Sequence, residues 1–378
     1  MNATLPTNEQ IQSSIEILRQ TMASSVVYLL AGLVACATST LSLSAIHHSK
    51  EMKSKFYALY AEMAVADFLM GFVFLIVTTK KIFRFLTKTG DAMTRYRCCL
   101  ESAPMYFCQT LGLYVAFTLA IDRTVSFLKP VKYKYMKARH ITYPLIGAAW
   151  SLSVMETIIM IIIGLEQRNK IEIVLTCNTA SCWSIKNYFI TLYSHLCVSF
   201  FVVFLNFSLM GTARRLMIEA QKRKGQKIVS EEDRHHRSQS NFQLKVIKTL
   251  SVMVFSHGTS HISARVILVV VLHEYLEDPE IFLTGFVSPQ GSFARNLIVI
   301  NAALHFFFYY LTSSEFKKAV NDRLAHHFVC CRGCLGEDAV TSIASKCDNF
   351  LSRSKTKVGG DPVTVIPVAT TLTVEQQK

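Results

Sequence analysis

The chain has 378 residues, of which 51% are apolar and 17% charged, with a mean hydropathy of +0.31. Soluble chains average about 25% charged residues, so this composition excludes an ordinary soluble protein, and it is too apolar for a disordered one. The net charge of +14 does not indicate nucleic acid. The basic residues lie in short segments between apolar blocks, as in a membrane protein, and not on a polar domain interleaved with aromatics.

A spanning helix needs about 20 apolar residues, because the hydrocarbon core is about 30 Å thick. Seven segments meet that length: 22–46, 56–78, 101–128, 141–164, 187–211, 246–272 and 294–312. The runs are too long for barrel strands and do not alternate. The expected fold class is therefore an all-α membrane protein, a seven-transmembrane helix bundle. No half of the chain repeats the other, which argues against an inverted-repeat transporter. The first run has no cleavage site after a short apolar core, so it reads as a retained anchor.

An odd number of spans puts the termini on opposite faces. Of the 40 Lys and Arg residues, 28 fall on one side if the N-terminus is outside, which orients the chain N-out and C-in. The local exception is an outer segment with six basic residues between Lys80 and Arg97. Four regions follow: an extracellular N-terminus (1–21), a transmembrane domain (22–312), an amphipathic membrane-surface helix (313–334) and a disordered cytoplasmic tail (335–378). The surface helix is read from EFKKAVNDRLAHHFVCC, which mixes apolar and basic residues at helical spacing. The stretch 212–245 is read as a charged extension of span five followed by a polar segment.

Asp122 and Arg123 end span three. Charge at the centre of a span costs about 2.5–3.5 kcal/mol per residue on insertion scales, but Arg at a helix end can snorkel, so simple anchoring is the plain alternative. The wider segment LAIDRTVSFLKPVKY resembles the end of span three in rhodopsin-like (class A) G-protein-coupled receptors. There an acid and an Arg precede a loop proline, matched here by Pro130, with Thr124 replacing the usual aromatic. The resemblance implies that Asp122 holds Arg123 in the inactive state and that Arg123 meets the G protein in the active one.

Other positions match the same family. Cys98 falls where it keeps a disulfide cysteine, with Cys177 and Cys182 as alternative partners and Cys99 as a candidate for a second bridge. Asp67, in AEMAVADFLMG, resembles the family's span-two acid that holds sodium and water. Trp150 matches the span-four tryptophan, and Tyr309, in YYLTSSEFKKAV, matches the tyrosine before the surface helix. Cys330, Cys331 and Cys334 then stand where palmitoylation is expected. The departures are His305 and Phe306 in place of Asn-Pro, Thr259 and His261 in place of the span-six Trp and Pro, and Ser39 in place of a span-one Asn. The combination is most similar to nematode serpentine chemoreceptors of the Srsx type.

The ligand class is read from fewer residues. Met105 stands where amine receptors carry a cation-pairing acid, which disfavours amines, and span seven has no lysine for a retinal Schiff base. Arg265 and Arg295 lie near the outer ends of spans six and seven, and His261 is one turn from Arg265. Paired guanidiniums suit a carboxylate or phosphate; headgroup anchoring, or pairing with Glu274, Glu277, Asp278 or Glu280, is the plain alternative. Glu62 and Glu156 are read as hydrogen-bonded acids between helices.

The crowded HHFVCCRGC lacks a second spaced ligand pair for zinc, so no metal or cofactor is expected. Asn2 begins a glycosylation sequon, whereas the one at Asn206 lies inside span five. Ser230, Ser352 and Ser354 are candidate phosphorylation sites. No nucleophile–base pair or phosphate loop is present, and no enzymatic activity is expected. The expected partners are a heterotrimeric G protein, a small-molecule ligand and membrane lipids, at the plasma membrane. A ligand-gated channel or transporter with seven spans is the alternative.

Overall fold

The structure is a computed structural model that describes residues 7–49, 52, 55–90, 92–135, 137–166, 173–174, 177, 179–183, 185–224, 231–273 and 289–332. The N-terminal segment carries a helix that the apolar pattern does not announce, α1 (Asn8–Gln20). Its signal is a capping box: Thr7 Oγ1 accepts from the Gln10 amide and the Gln10 side chain accepts from the Thr7 amide, satisfying two donors at the helix start. The long helices follow as α2 (Met22–His48), α3 (Lys55–Leu86) and α4 (Arg95–Leu128). Next come a short α5 (Pro130–Tyr135) and then α6 (Ala138–Glu166), α7 (Ile185–Lys224), α8 (Glu231–His273) and α9 (Pro289–Thr312).

Six of these helices are long and apolar enough to cross a membrane alone. A seventh crossing is reached when Gly291–Thr312 is taken with the helix after it, from which it is bent by 105°. That last helix is α10 (Ser314–Arg332). It lies where the surface helix is expected and buries Phe316 and Val320 against Tyr60 and Tyr309. Residues Asp322–Lys378 form a second compact unit, in which the described part is the end of α10. The expected disordered tail lies outside the described residues.

Two boundaries differ from expectation. Span three starts at Arg95 and not near 101, because the polar turn RYRCCLE continues the helix beyond its apolar stretch. The stretch read only as polar after the extension of span five is helical from Glu231.

Helix α4 is the centre of the bundle and packs against α3, α6, α7 and α8. In its apolar window 61% of residues are buried, against 17% for α6, so α6 is a peripheral helix with most of its side chains turned outward. Leu30, Ile158, Phe204 and Val270 are all more than half or about half exposed, which forms an apolar outer surface suited to lipid. With lipid outside there is little hydrophobic drive between helices, and close packing matters more. At Gly32 and Gly71 the backbones of α2 and α3 come close: a Cβ on Gly71 would sit 2.8 Å from the Gly32 carbonyl oxygen, and one on Gly32 would sit 3.0 Å from that of Gly71. Only glycine fits that approach.

At the Cys98 end of α4, a short antiparallel pair joins Met93–Thr94 (β1) to Ile173–Val174 (β2). Beside it Cys98 and Cys177 are disulfide-bonded, 79 residues apart in sequence. Arg95 adds a third tie, donating from Nε to the Ser181 carbonyl at 2.6 Å and from Nη2 to that of Trp183 at 3.2 Å. Residues 173–174, 177 and 179–183 are thereby held at that end of α4.

Candidate functional site

At the Leu128 end of α4, the helix presents Asp122 and Arg123 on consecutive positions, both buried. Arg123 Nη2 lies 3.1 Å from Asp122 Oδ2. The short α5 brings Tyr133 back over them, and its hydroxyl donates to both carboxylate oxygens at 2.9 Å. Burial pushes Tyr133 above the usual tyrosine range, and the Asp122 carboxylate adds to this while Arg123 opposes it. The hydroxyl therefore stays protonated and available as a donor. Tyr309 faces the same region, its ring centroid 3.4 Å from that of Tyr60, close enough to Arg123 to feel its charge.

One level deeper, α3, α8 and α9 contribute a continuous buried polar chain. His305 Nδ1 is 2.8 Å from Asp67 Oδ2. Asn301 sits between two imidazoles, its Nδ2 2.9 Å from His305 Nε2 and 3.2 Å from His257 Nδ1. Ser256 donates to Asn301 Oδ1 at 3.0 Å, which fixes the amide with its NH2 toward both rings. The His257 and His261 rings stack at 4.1 Å, and His261 Nδ1 lies 3.4 Å from Arg265 Nη2. The chain thus runs from Arg265 down to Asp67. His305, noted in the sequence only as a departure from Asn-Pro, is the direct partner of Asp67.

Beside that chain, Glu156 of α6 gathers three donors: His195 Nε2 at 2.8 Å, Tyr106 at 3.3 Å, and Tyr114. Glu62 takes the indole N–H of Trp150. Both acids bridge helices as the sequence suggests, since a buried carboxylate is costly without donors.

At the Cys98 end, Met105 and Cys177 line two cavities. One, of about 480 Å³, is also walled by Val77, Lys80, Arg84 and Glu101. Glu101 receives Arg84 at 3.0 Å, Arg97 at 3.4 Å and Lys80 at 3.7 Å, so three cations share one carboxylate. The other, of about 60 Å³, includes Tyr28, Lys81, Ser292 and Arg295. Arg265 and Arg295 take different partners: Arg295 reaches Ser292 Oγ at 3.2 Å and Tyr28 at 3.4 Å. Both are close enough to act electrostatically on Tyr188.

Of the cysteine alternatives, the one joined to Cys98 is Cys177. Cys182 is not bonded to Cys98, a correction to its place among the disulfide candidates. It is turned toward Ser102, with Sγ 3.2 Å from the hydroxyl, and the Cys99 thiol lies alongside. Burial pushes the Cys182 thiol up. The reason for the partition is positional: β2 carries Cys177 to Cys98, while the following 3-10 turn, Thr179–Cys182, carries Cys182 inward. Asn206 is buried and its amide donates to the Val202 carbonyl at 2.7 Å, so its sequon is closed. Asn2, Cys334, Glu274, Glu277, Asp278, Glu280, Ser230, Ser352 and Ser354 lie outside the described residues, as do the side chains of Cys330 and Cys331.

The family model described as 7 transmembrane receptor (rhodopsin family) matches residues 38–309, and the chain belongs to that family. It is a multi-pass integral membrane protein, and the family consists in general of signalling receptors, not enzymes, that work with G proteins and small-molecule ligands. No curated protein matches the chain. Among solved structures, the crystal structure of squid rhodopsin is similar at a TM-score of 0.57 and 16% identity, covering 85% of this chain and 89% of that one. That likeness speaks for the fold alone.

Tyr133 and the His257–Asn301–His305 chain escaped the sequence. Tyr133 lies eleven residues beyond its partner across a break that only α5 explains. The histidines sit four residues apart or on different spans, and a lone His in an apolar helix more often serves packing. Their concentration in FSHGTSH and NAALH was the available signal.

Proposed function

We propose that the protein is a cell-surface chemosensory receptor, of the kind found among the nematode serpentine receptors, that activates heterotrimeric G proteins in response to a small anionic ligand. The N-terminus would face outward at the plasma membrane, residues 22–312 would form the transducing bundle, and 313–334 would lie on the inner leaflet. The observation that carries this reading is the buried Asp122–Arg123 pair capped by Tyr133. It is a closed electrostatic latch at the end of the central helix, opposite the cavities.

In mechanism, the ligand enters at the Cys98 end, where Met105 and Arg295 line a cavity and Arg265 and His261 lie deeper. It must bind better to an arrangement in which the other ends of α4, α7 and α8 have separated; equal affinity for both arrangements would shift nothing. Separation frees Arg123 from Asp122 and lets it meet the G protein. The chain from Arg265 through His261, His257, Asn301 and His305 to Asp67 joins the ligand end to the middle of the bundle through hydrogen bonds and ring stacking.

The test is nucleotide exchange on a panel of purified G proteins, with the receptor in membranes and small acidic metabolites added. Ligand-stimulated exchange, abolished in Arg123→Ala at unchanged surface expression, is the expected result. Full signalling by Arg123→Ala would remove that residue from its role. A ligand-evoked current with no exchange on any G protein would replace the receptor reading by a channel.

A further inference from the structure

The tautomers of the interior histidines follow from their neighbours. Ser256 orients Asn301 so that its NH2 faces His305 Nε2 and His257 Nδ1, and both ring nitrogens therefore accept. Arg265 Nη2, which can only donate, faces His261 Nδ1, and that nitrogen accepts too. A neutral imidazole with one nitrogen accepting carries its proton on the other. His257 Nε2 and His261 Nε2 are thus N–H donors.

Neither donor has a partner among the described residues. His257 Nε2, His261 Nε2 and Arg265 Nε are all buried polar atoms without a hydrogen-bond partner, on residues 3%, 0% and 7% exposed. Three orphaned donors on successive turns of α8, one of them on a permanently charged guanidinium, have no acceptor supplied by the described protein. The acid nearest in effect, Glu156, is not ion-paired to Arg265; its oxygens are engaged by His195, Tyr106 and Tyr114. On the α4 side, Gly112 leaves room for one methyl-sized group beside the His257 ring: a Cβ placed there would be 3.8 Å from His257 Cε1 and 3.6 Å from Met70 Cε.

Buried donors without acceptors are costly, and a cluster containing a cation calls for an acceptor with negative charge. We propose that His257, His261 and Arg265 form an interior binding site for a monovalent anion, either a free halide or the carboxylate of a small ligand. The inference deepens the receptor reading by giving chemistry to two of its ligand contacts, but it stands on the bundle alone and does not need G-protein coupling. The same donors explain why the polar chain ends at Arg265: the anion is its last member.

The experiment is equilibrium binding of chloride-36 to the purified full-length receptor in lipid nanodiscs, without G protein. Ionic strength is held constant with isethionate, a sulfonate much larger than chloride. Saturable binding near one ion per chain is expected, weakened at least tenfold in Arg265→Gln and in His261→Phe and retained in Arg97→Gln. Should Arg265→Gln not fold, His257→Phe under the same readout decides, since it removes one donor and leaves the cation. Displacement of chloride-36 by formate or acetate identifies a carboxylate site, and displacement by bromide and iodide alone identifies an inorganic one; either supports the proposal. Absence of saturable binding in the wild type, or binding undiminished in the His257 and His261 variants, would mean that water fills the space and would overturn it. Failure of the exchange assay with chloride binding intact would count only against the receptor reading.

Discussion

Tyr133 donates one hydroxyl to both oxygens of Asp122, at 2.9 Å each, while Arg123 holds the same carboxylate at 3.1 Å. The carboxylate is fully buried, so these two residues supply the charge-stabilising contacts it needs. Hydrogen bonds to a charged group contribute about 1.5–3 kcal/mol. Tyr133→Phe should remove one of the contacts that hold Asp122 in place and leave Arg123 easier to release. The expected outcome is basal nucleotide exchange raised roughly tenfold, since about 1.4 kcal/mol is a factor of ten. Unchanged basal exchange at equal receptor density would show that Tyr133 does not hold the latch.

The disulfide gives a prediction with an internal control. Cys98→Ser and Cys177→Ser should each lose surface delivery, because removing a native disulfide typically costs about 2–5 kcal/mol in small domains. Cys182→Ser should keep the Cys98–Cys177 bond, seen as an intact cross-linked peptide pair by mass mapping. A Cys98–Cys182 peptide in the wild type would contradict the pairing.

The close approach of α2 and α3 predicts a graded loss of stability. Gly71→Ala places a methyl 2.8 Å from the Gly32 carbonyl oxygen, and overpacking of this kind costs about 1–3 kcal/mol. Gly147→Ala, where nothing lies within 4 Å of the added Cβ, is the matched control. Thermal unfolding in detergent should show a lowered midpoint for the first and none for the second. Equal midpoints would mean that the helices separate at no cost.

Asp67 and His305 lie on helices far apart in sequence yet meet at 2.8 Å. A double-mutant cycle with Asp67→Asn and His305→Asn should therefore return a coupling of about 1–3 kcal/mol. Additive effects of the two substitutions on unfolding would show that the contact carries no energy.

The spans were legible because a membrane helix is declared by length and apolarity, and Asp122–Arg123 because charge at a span end stands out against such a background. What stayed hidden depended on how helices face one another. Nothing in the residues beside Cys98 distinguishes Cys177 from Cys182; the register of β1 on β2 does. Asp67 and Arg265 were visible as isolated polar residues, but their connection through His305, Asn301 and His257 crosses three helices. The helix Asn8–Gln20 was legible in principle, since Thr7 and Gln10 have the spacing of a reciprocal cap.

Residues 173–174, 177 and 179–183 are fastened by a strand pair, a disulfide and the two carbonyl contacts of Arg95. All three fastenings lead to the same end of α4, so these residues are an outgrowth of that helix and any tilt of α4 carries them along.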